Sequence, residues 1–109
     1  MNIHTKEAGA ATVIHIEGDF ISELDQKSLK DHVKREVEKG AKRLVIDLGH
    51  VKYMNSCGLG SLVCALTTIR RSGGELRLAA PGSDIRHLFE MTRLDMILKV
   101  FASVDEAVK

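Results

Sequence analysis

Short segments in which apolar and polar residues alternate are separated along this chain by longer segments whose apolar residues recur every three or four positions. The first pattern is typical of β-strands and the second of helices with one buried face. The second strand places Ile14 and Ile16 on one face, and the helix after it carries Leu29, Val33 and Val37 at every fourth position. The predicted strands are residues 2–7, 12–17, 43–48, 75–79 and 97–101. Four helices are predicted. The first is capped by Ser22, the second starts near Cys57, the third is capped by Ser83 or Asp84, and the fourth is capped by Ser103.

The order of these elements predicts an α/β fold. Ala8-Gly9-Ala10 is a short turn, so the first two strands form an antiparallel hairpin. Each later strand follows a helix, which favours right-handed crossovers and parallel pairing. The 109 residues fit one domain. We therefore expect a single domain over residues 1–109, with a mixed, mainly parallel sheet of about five strands flanked by about four helices.

This topology also predicts where functional residues gather. The loops after the second, third and fourth strands leave the same edge of the sheet, and that edge commonly carries the binding site in open α/β sheets. It would hold Gly18-Asp19-Phe20, residues 53–58 and residues 81–84.

Composition excludes several classes of partner. The chain carries 16 basic and 15 acidic residues, a formal charge of +1, without the basic excess typical of nucleic-acid-binding surfaces. It has no polybasic segment for a membrane surface, no signal-peptide pattern at its start, and no apolar run near the roughly 20 residues that span a bilayer. We expect a cytoplasmic protein with no nucleic-acid ligand and no direct membrane insertion.

Candidate chemistry is sparse. Cys57 and Cys64 fall on one helix about 10 Å apart along its axis, too far for a disulfide, so we expect two small buried thiols. The glycines of Gly58-Leu59-Gly60 lack the third glycine of a dinucleotide fingerprint. The charges of the first helix are expected to form a solvated face; they are Lys27, Lys30, Asp31, Lys34, Arg35, Glu36 and Glu38.

No catalytic constellation is recognisable. The five histidines lie on separate elements, none at metal-ligand spacing. Ser56 lies outside any G-x-S-x-G pattern, and no histidine is placed by sequence to act as its base. We expect no enzyme activity, no metal and no cofactor.

One segment is more specific. VIDLGHVKYMNSCGLGSLV, residues 45–63, resembles the signature of STAS domains of the anti-sigma factor antagonist type, and GGELRLAAP, residues 73–81, is similar to a later family segment. In that family an aspartate precedes the phosphorylated serine at the start of the second helix. The serine corresponds to Ser56, whereas Asn55 replaces the aspartate and Cys57 replaces a second hydroxyl residue. A helix N-terminus also favours an anion, so a phosphate on Ser56 would be tolerated at the start of this helix.

The resemblance implies a protein that works by binding. Unphosphorylated, it would bind an anti-sigma factor that is also a serine kinase and so release a sigma factor. Phosphorylation of Ser56 would end the complex, a serine phosphatase would restore it, and the chain would be a monomer or weak dimer. The predicted contact residues are Asp19, Phe20, Asn55, Ser56, Cys57, Gly58 and Leu59. Two alternatives stay open: Asn55 or Ser56 is only a helix cap, or the chain is a STAS accessory subunit of a membrane transport system for lipids or anions.

Overall fold

The computed structural model describes residues 1–109 and contains one five-stranded sheet with helices on both faces. The strands follow the chain order β1-β2-β3-β4-β5; β1 pairs with β2 antiparallel and the other neighbours are parallel. The mixed, mainly parallel α/β fold predicted from the sequence is confirmed. The elements are β1 Asn2–Ala8, β2 Ala11–Glu17, α1 Glu23–Glu38, β3 Arg43–His50, α2 Ser56–Arg71, β4 Glu75–Ala79, α3 Ser83–Met91, β5 Lys99–Phe101 and α4 Val104–Ala107.

Local sequence explains most helix ends. The Ser22 hydroxyl accepts a hydrogen bond from the Asp25 amide, and the Asp25 carboxylate accepts one from the Ser22 amide, which makes a capping box at the start of α1. After α1, Gly40 adopts a φ of 95°, a conformation that favours glycine and ends the helix. Ser103 caps α4 as expected.

Two sequence-based boundaries are wrong. The N-cap of α3 is Gly82, which offers no side-chain hydrogen bond, and Ser83 is already helical. The last strand begins at Lys99 because residues 94–96 form a 3-10 turn entered through Arg93, whose φ is 62°. A single non-glycine residue in the left-handed region leaves no pattern in the sequence, so this turn was not predicted.

The two faces of the sheet are unequal. The larger core lies under α1, α2 and α3 and includes Ile14, Leu44 and Leu62. On the other face, the short α4 covers a small cluster that includes Val13 and Val45. Beside it, the His15 Nδ1 lies 2.7 Å from an Asp47 carboxylate oxygen. None of the helices combines the length and apolar character needed to cross a bilayer.

Glu75 joins three strands on the face covered by α4. Its carboxylate lies 3.1 Å from Arg43 Nε, 3.0 Å from Arg77 Nη2 and 3.2 Å from Lys99 Nζ. Desolvation raises the pKa of Glu75, but the hydrogen bond from Lys99 and the charge of Arg77 hold that pKa below its ordinary value of 4.5.

This carboxylate predicts part of the acid sensitivity of the fold. Because its folded pKa lies below the unfolded one, its contribution to the free energy of unfolding is present above pH 4.5 and is lost as the pH falls through the folded pKa. In urea titrations at several pH values, Glu75→Gln is expected to lower stability at pH 7 and to flatten its decline in acid. The matched variant Glu7→Gln, at an exposed residue of β1, should keep the wild-type decline. Parallel acid profiles for Glu75→Gln and wild type would contradict this assignment.

Candidate binding site at the start of α2

The loops after β2 and β3 continue the pairing of those strands beyond their ends. Phe20 and Met54 form an isolated parallel bridge. The Phe20 amide donates to the Tyr53 carbonyl at 2.9 Å, and the Asn55 amide donates to the Phe20 carbonyl at 3.3 Å. The two loops at the predicted functional edge are therefore held together as one unit. The third loop, residues 81–84, makes no hydrogen bond to either of them.

Asn55 fixes this unit to the start of α2. Its side-chain oxygen accepts hydrogen bonds from the amides of Cys57 and Gly58, at 3.0 and 3.4 Å, so it is the N-cap of the helix. Its side-chain nitrogen donates to the Ile21 carbonyl at 2.9 Å. An aspartate would keep the capping oxygen but would have no donor for Ile21. The asparagine at this position therefore has a structural role of its own.

Ser56, the first residue of α2, is exposed, and its hydroxyl forms no hydrogen bond within the chain. The other three hydroxyls of this helix each donate to the backbone carbonyl four residues earlier, and they belong to Ser61, Thr67 and Thr68. The first turn of α2 contains no acidic residue. Ser56 is therefore the one side-chain hydroxyl of α2 that is both free and presented at the positive end of the helix dipole.

Two of the predicted contact residues are packing residues instead. Phe20 is 0% exposed, so its side chain belongs to the core and cannot reach a partner. Gly58 is buried, and a Cβ atom added there would overlap Met54 Cγ and come within 2.9 Å of the Phe20 carbonyl oxygen. The sequence placed both residues at the correct edge but could not show which way they face. Asp19 is exposed, whereas Asn55, Cys57 and Leu59 are half-buried.

The thiols also differ from the expectation of two buried cysteines. Cys57 is half-buried and Cys64 is exposed on α2. Cys64 lies on the side of α2 that faces α1, where the two helices leave a groove between them.

Three exposed apolar residues at the same edge of the sheet as Ser56 were missed by the sequence analysis. They are Ile21, Leu24 and Tyr53, which are 43%, 74% and 59% exposed. Ile21 and Tyr53 lie in the two linked loops, and Leu24 lies in the first turn of α1. Leu24 was detectable, because it is five residues before Leu29 and so falls off the buried stripe of α1. We call the set Asp19, Ile21, Leu24, Tyr53, Asn55, Ser56, Cys57 and Leu59 the Ser56 surface.

The Ser56 surface has the character of a protein-binding surface. Large apolar side chains that are exposed to solvent and lie close together are typical of interaction sites. Nowhere in the chain do three or more histidine, cysteine, aspartate or glutamate side chains converge in a way that could hold a metal ion. The arrangement presents one free, exposed hydroxyl on a surface that also carries exposed apolar side chains.

Comparison with known proteins finds one matching family model and several related proteins. The family model of the STAS domain matches residues 2–107. A protein of Thermotoga maritima is 30% identical over 73 residues, which are 67% of this chain and 65% of that protein, so the match spans slightly under two thirds of its length. The anti-sigma-B factor antagonist of Bacillus subtilis is 28% identical over 109 residues, covering 100% of this chain and 98% of that protein.

Solved structures share the fold. An anti-sigma factor antagonist from Mycobacterium paratuberculosis superimposes with a TM-score of 0.86 at 21% identity, covering 98% of this chain and 90% of that one. The phosphorylated form of the Bacillus cell fate determinant SpoIIAA gives 0.73 at 16% identity, covering 98% and 96%. A sulfate transporter family protein from Wolinella succinogenes gives 0.79 at 18% identity, covering 90% and 81%.

Proposed function

Because this chain belongs to the STAS domain family, whose model covers residues 2–107, we propose that it is an anti-sigma factor antagonist controlled by phosphorylation of Ser56. In this proposal the unphosphorylated protein binds, in the cytoplasm, an anti-sigma factor that is also a serine kinase, and the bound sigma factor is released. The kinase phosphorylates Ser56 and the complex dissociates. A serine phosphatase then restores the binding form, and the chain itself catalyses nothing.

The observation that carries the proposal is the free, exposed hydroxyl of Ser56 at the start of α2. A kinase needs a hydroxyl that it can reach, and the other hydroxyls of α2 are bonded to its own backbone. Asn55 already accepts from the amides of Cys57 and Gly58, but the dipole of a helix N-terminus still tolerates an added anion. A phosphate on Ser56 would therefore act on the partner that docks over Leu24 and Tyr53, while the domain keeps its fold.

The test is capture of the partner followed by site mapping. The protein, immobilised in its unphosphorylated form, should retain an anti-sigma factor kinase from its own cell extract. Incubated with that purified kinase and ATP, it should carry phosphate on Ser56 by mass spectrometry, and Ser56→Ala should carry none. Phosphate found only on Ser61, Thr67 or Thr68 would overturn the assignment of the site.

A second candidate function is that of an accessory subunit of a membrane transport system. It draws on the shared fold with the sulfate transporter family protein of Wolinella succinogenes. The same Ser56 surface would then dock a transporter ATPase or transport domain. The capture experiment separates the two, because it would retain transporter components in place of a kinase and its sigma factor.

Asn55 gives a further prediction about the rate of modification. If the kinase uses an acidic neighbour to orient the serine, Asn55→Asp should raise the initial rate of phosphorylation severalfold. The same change removes the hydrogen bond to the Ile21 carbonyl, so the free energy of unfolding should fall by about 1 kcal/mol. Initial rates and urea unfolding of the same samples measure the two effects.

Asn55→Ser is the matched control, because serine caps the helix without a charge. It should lose the bond to Ile21 but keep the slow rate. If Asn55→Asp changes neither the rate nor the stability, the exchange of aspartate for asparagine at this position is neutral.

A further inference from the structure

A groove of about 620 Å³ runs between α1 and α2, outside the Ser56 surface. Both helices begin at the same edge of the sheet, so they run side by side in the same direction. The groove starts beside the first turn of α1, at Glu23 and Gln26, and extends along α2 past Cys64 to Thr68. One end of the groove is therefore close to the Ser56 surface, and a partner docked there could reach into it.

The α1 wall of the groove is lined by Lys27, Lys30 and Lys34. These lysines are three and four residues apart, so like charges are neighbours on one helix face, which destabilises a helix by about 0.2–0.5 kcal/mol per pair. None of the ion pairs in the structure includes any of them. The expectation of a solvated helix face holds for these three lysines, which are exposed, but is wrong for Glu36, which is buried.

The α2 wall offers the lysines no counter-charge. From Ser56 to Ile69 this helix has no charged residue. The groove-facing hydroxyls of Ser61 and Thr68 donate to the backbone of α2, so they too are occupied. Small side chains at Cys64 and Ala65, with Val33 opposite, make the floor apolar.

Two carboxylates lie in the groove as well. Glu23 is at the end near the Ser56 surface, and Asp31 lies between Lys30 and Lys34 in sequence. The lining of the groove therefore carries three positive and two negative side chains, which is an excess of one positive charge. An occupant that matches this surface has an apolar strip for the floor and carboxylates toward the lysine wall.

We propose that the groove between α1 and α2 is a second docking site, which takes an acidic amphipathic segment of a protein partner. We assign this segment to the protein that docks on the Ser56 surface, and this assignment rests on the proposed function. The preference of the groove for an acidic segment does not rest on the proposed function, because it follows from the net positive lining and the apolar floor.

The first test uses the free protein and a synthetic helical peptide with glutamates on one face and leucines on the other. We expect amide chemical-shift changes in the NMR spectrum at groove residues, binding that weakens at higher salt, and at least tenfold weaker binding by the triple variant Lys27→Gln, Lys30→Gln, Lys34→Gln. A peptide with glutamine in place of glutamate should bind at least tenfold more weakly to the wild type.

The matched control variant is Lys6→Gln, Arg86→Gln, Lys109→Gln, which removes the same net charge from exposed residues outside the groove. It should bind the peptide as the wild type does. Cys64 supplies a second readout, because a bound peptide should slow its alkylation by the uncharged reagent N-ethylmaleimide. Cys57, outside the groove, is the internal reference when each thiol is followed by mass spectrometry.

Three results would overturn the proposal. The first is chemical-shift changes outside the groove only, and the second is equal weakening of peptide binding by both triple variants. The third is citrate binding at the same site with the same affinity as the peptide, which would indicate a small-anion site. A second experiment measures affinity for the purified kinase partner. A tenfold loss for the groove variant alone assigns the segment to that partner. If no kinase partner exists, the proposed function fails, while the peptide experiment still decides the groove.

Discussion

Replacing Gly58 with alanine is expected to lower the free energy of unfolding by about 1–3 kcal/mol, although alanine is the better helix former. The added Cβ would overlap Met54 Cγ and lie 2.9 Å from the Phe20 carbonyl oxygen and 3.2 Å from Phe20 Cγ. The carbonyl is backbone within the paired loops, so it cannot move aside as a flexible side chain could. Either α2 shifts away from the sheet or the two loops separate.

Gly60→Ala is the matched control, two residues further along the same helix. A Cβ there meets nothing closer than Gln26 Nε2 at 3.9 Å. This variant should gain stability, by up to about 1 kcal/mol, because alanine restricts the unfolded chain and favours the helix. Urea unfolding of the two variants against wild type measures the contrast.

The structural change caused by Gly58→Ala should also alter the Ser56 surface. Phe20 is bonded to Tyr53 and Asn55 through the backbone, so movement of this unit displaces both residues of the Ser56 surface. We expect weaker partner binding by Gly58→Ala than by Gly60→Ala. Equal stability of the two variants would show that the packing of α2 against Phe20 is looser than the structure indicates.

The sequence predicted the fold well because its signals are local and repeated. Three such signals are the alternation in β2, the apolar residues at every fourth position, such as Leu29 and Val33, and the glycines after the helices. Each of them predicts an element without reference to the rest of the chain. The predicted elements failed where one unusual backbone residue decided the structure, as at Arg93 before the 3-10 turn.

The candidate site was predicted only in part, because exposure depends on tertiary packing. The sequence placed Ser56 at the start of α2 and Phe20 at the same edge, but only the structure shows that the first is exposed and the second is buried. The second hydrogen bond of Asn55, to the Ile21 carbonyl 34 residues earlier, has no sequence signature either. It joins two loops whose proximity is a property of the sheet.

Phosphorylation of Ser56 is expected to weaken binding of the proposed kinase partner at least about 100-fold, equivalent to about 2.8 kcal/mol. The phosphate adds roughly 1.5–2 negative charges within a surface that includes Ile21, Leu24 and Tyr53, all exposed and apolar. A partner that covers these side chains would have to remove water from the phosphate, and burying an unpaired charge is costly. The first turn of α2 offers no cationic side chain to compensate.

The same phosphate should leave the fold nearly unchanged. It would lie at the N-terminus of α2, where the helix dipole favours an anion, so the free energy of unfolding should change by at most about 1–2 kcal/mol. Thermal melts and circular dichroism of the two forms compare the folds, and titration calorimetry compares the affinities. Gross unfolding of the phosphorylated form would replace the docking-block mechanism with one of local melting.

Two variants of equal size separate charge from bulk. Ser56→Gln adds bulk alone, whereas Ser56→Glu adds similar bulk and one charge. If desolvation of the charge dominates, Ser56→Glu should weaken partner binding several times more than Ser56→Gln, and Ser56→Ala should bind almost as the wild type does. Equal losses for the two larger side chains would indicate a steric block. Tight binding by all three variants would mean that the partner does not cover Ser56, and the switch proposed for this residue would be wrong.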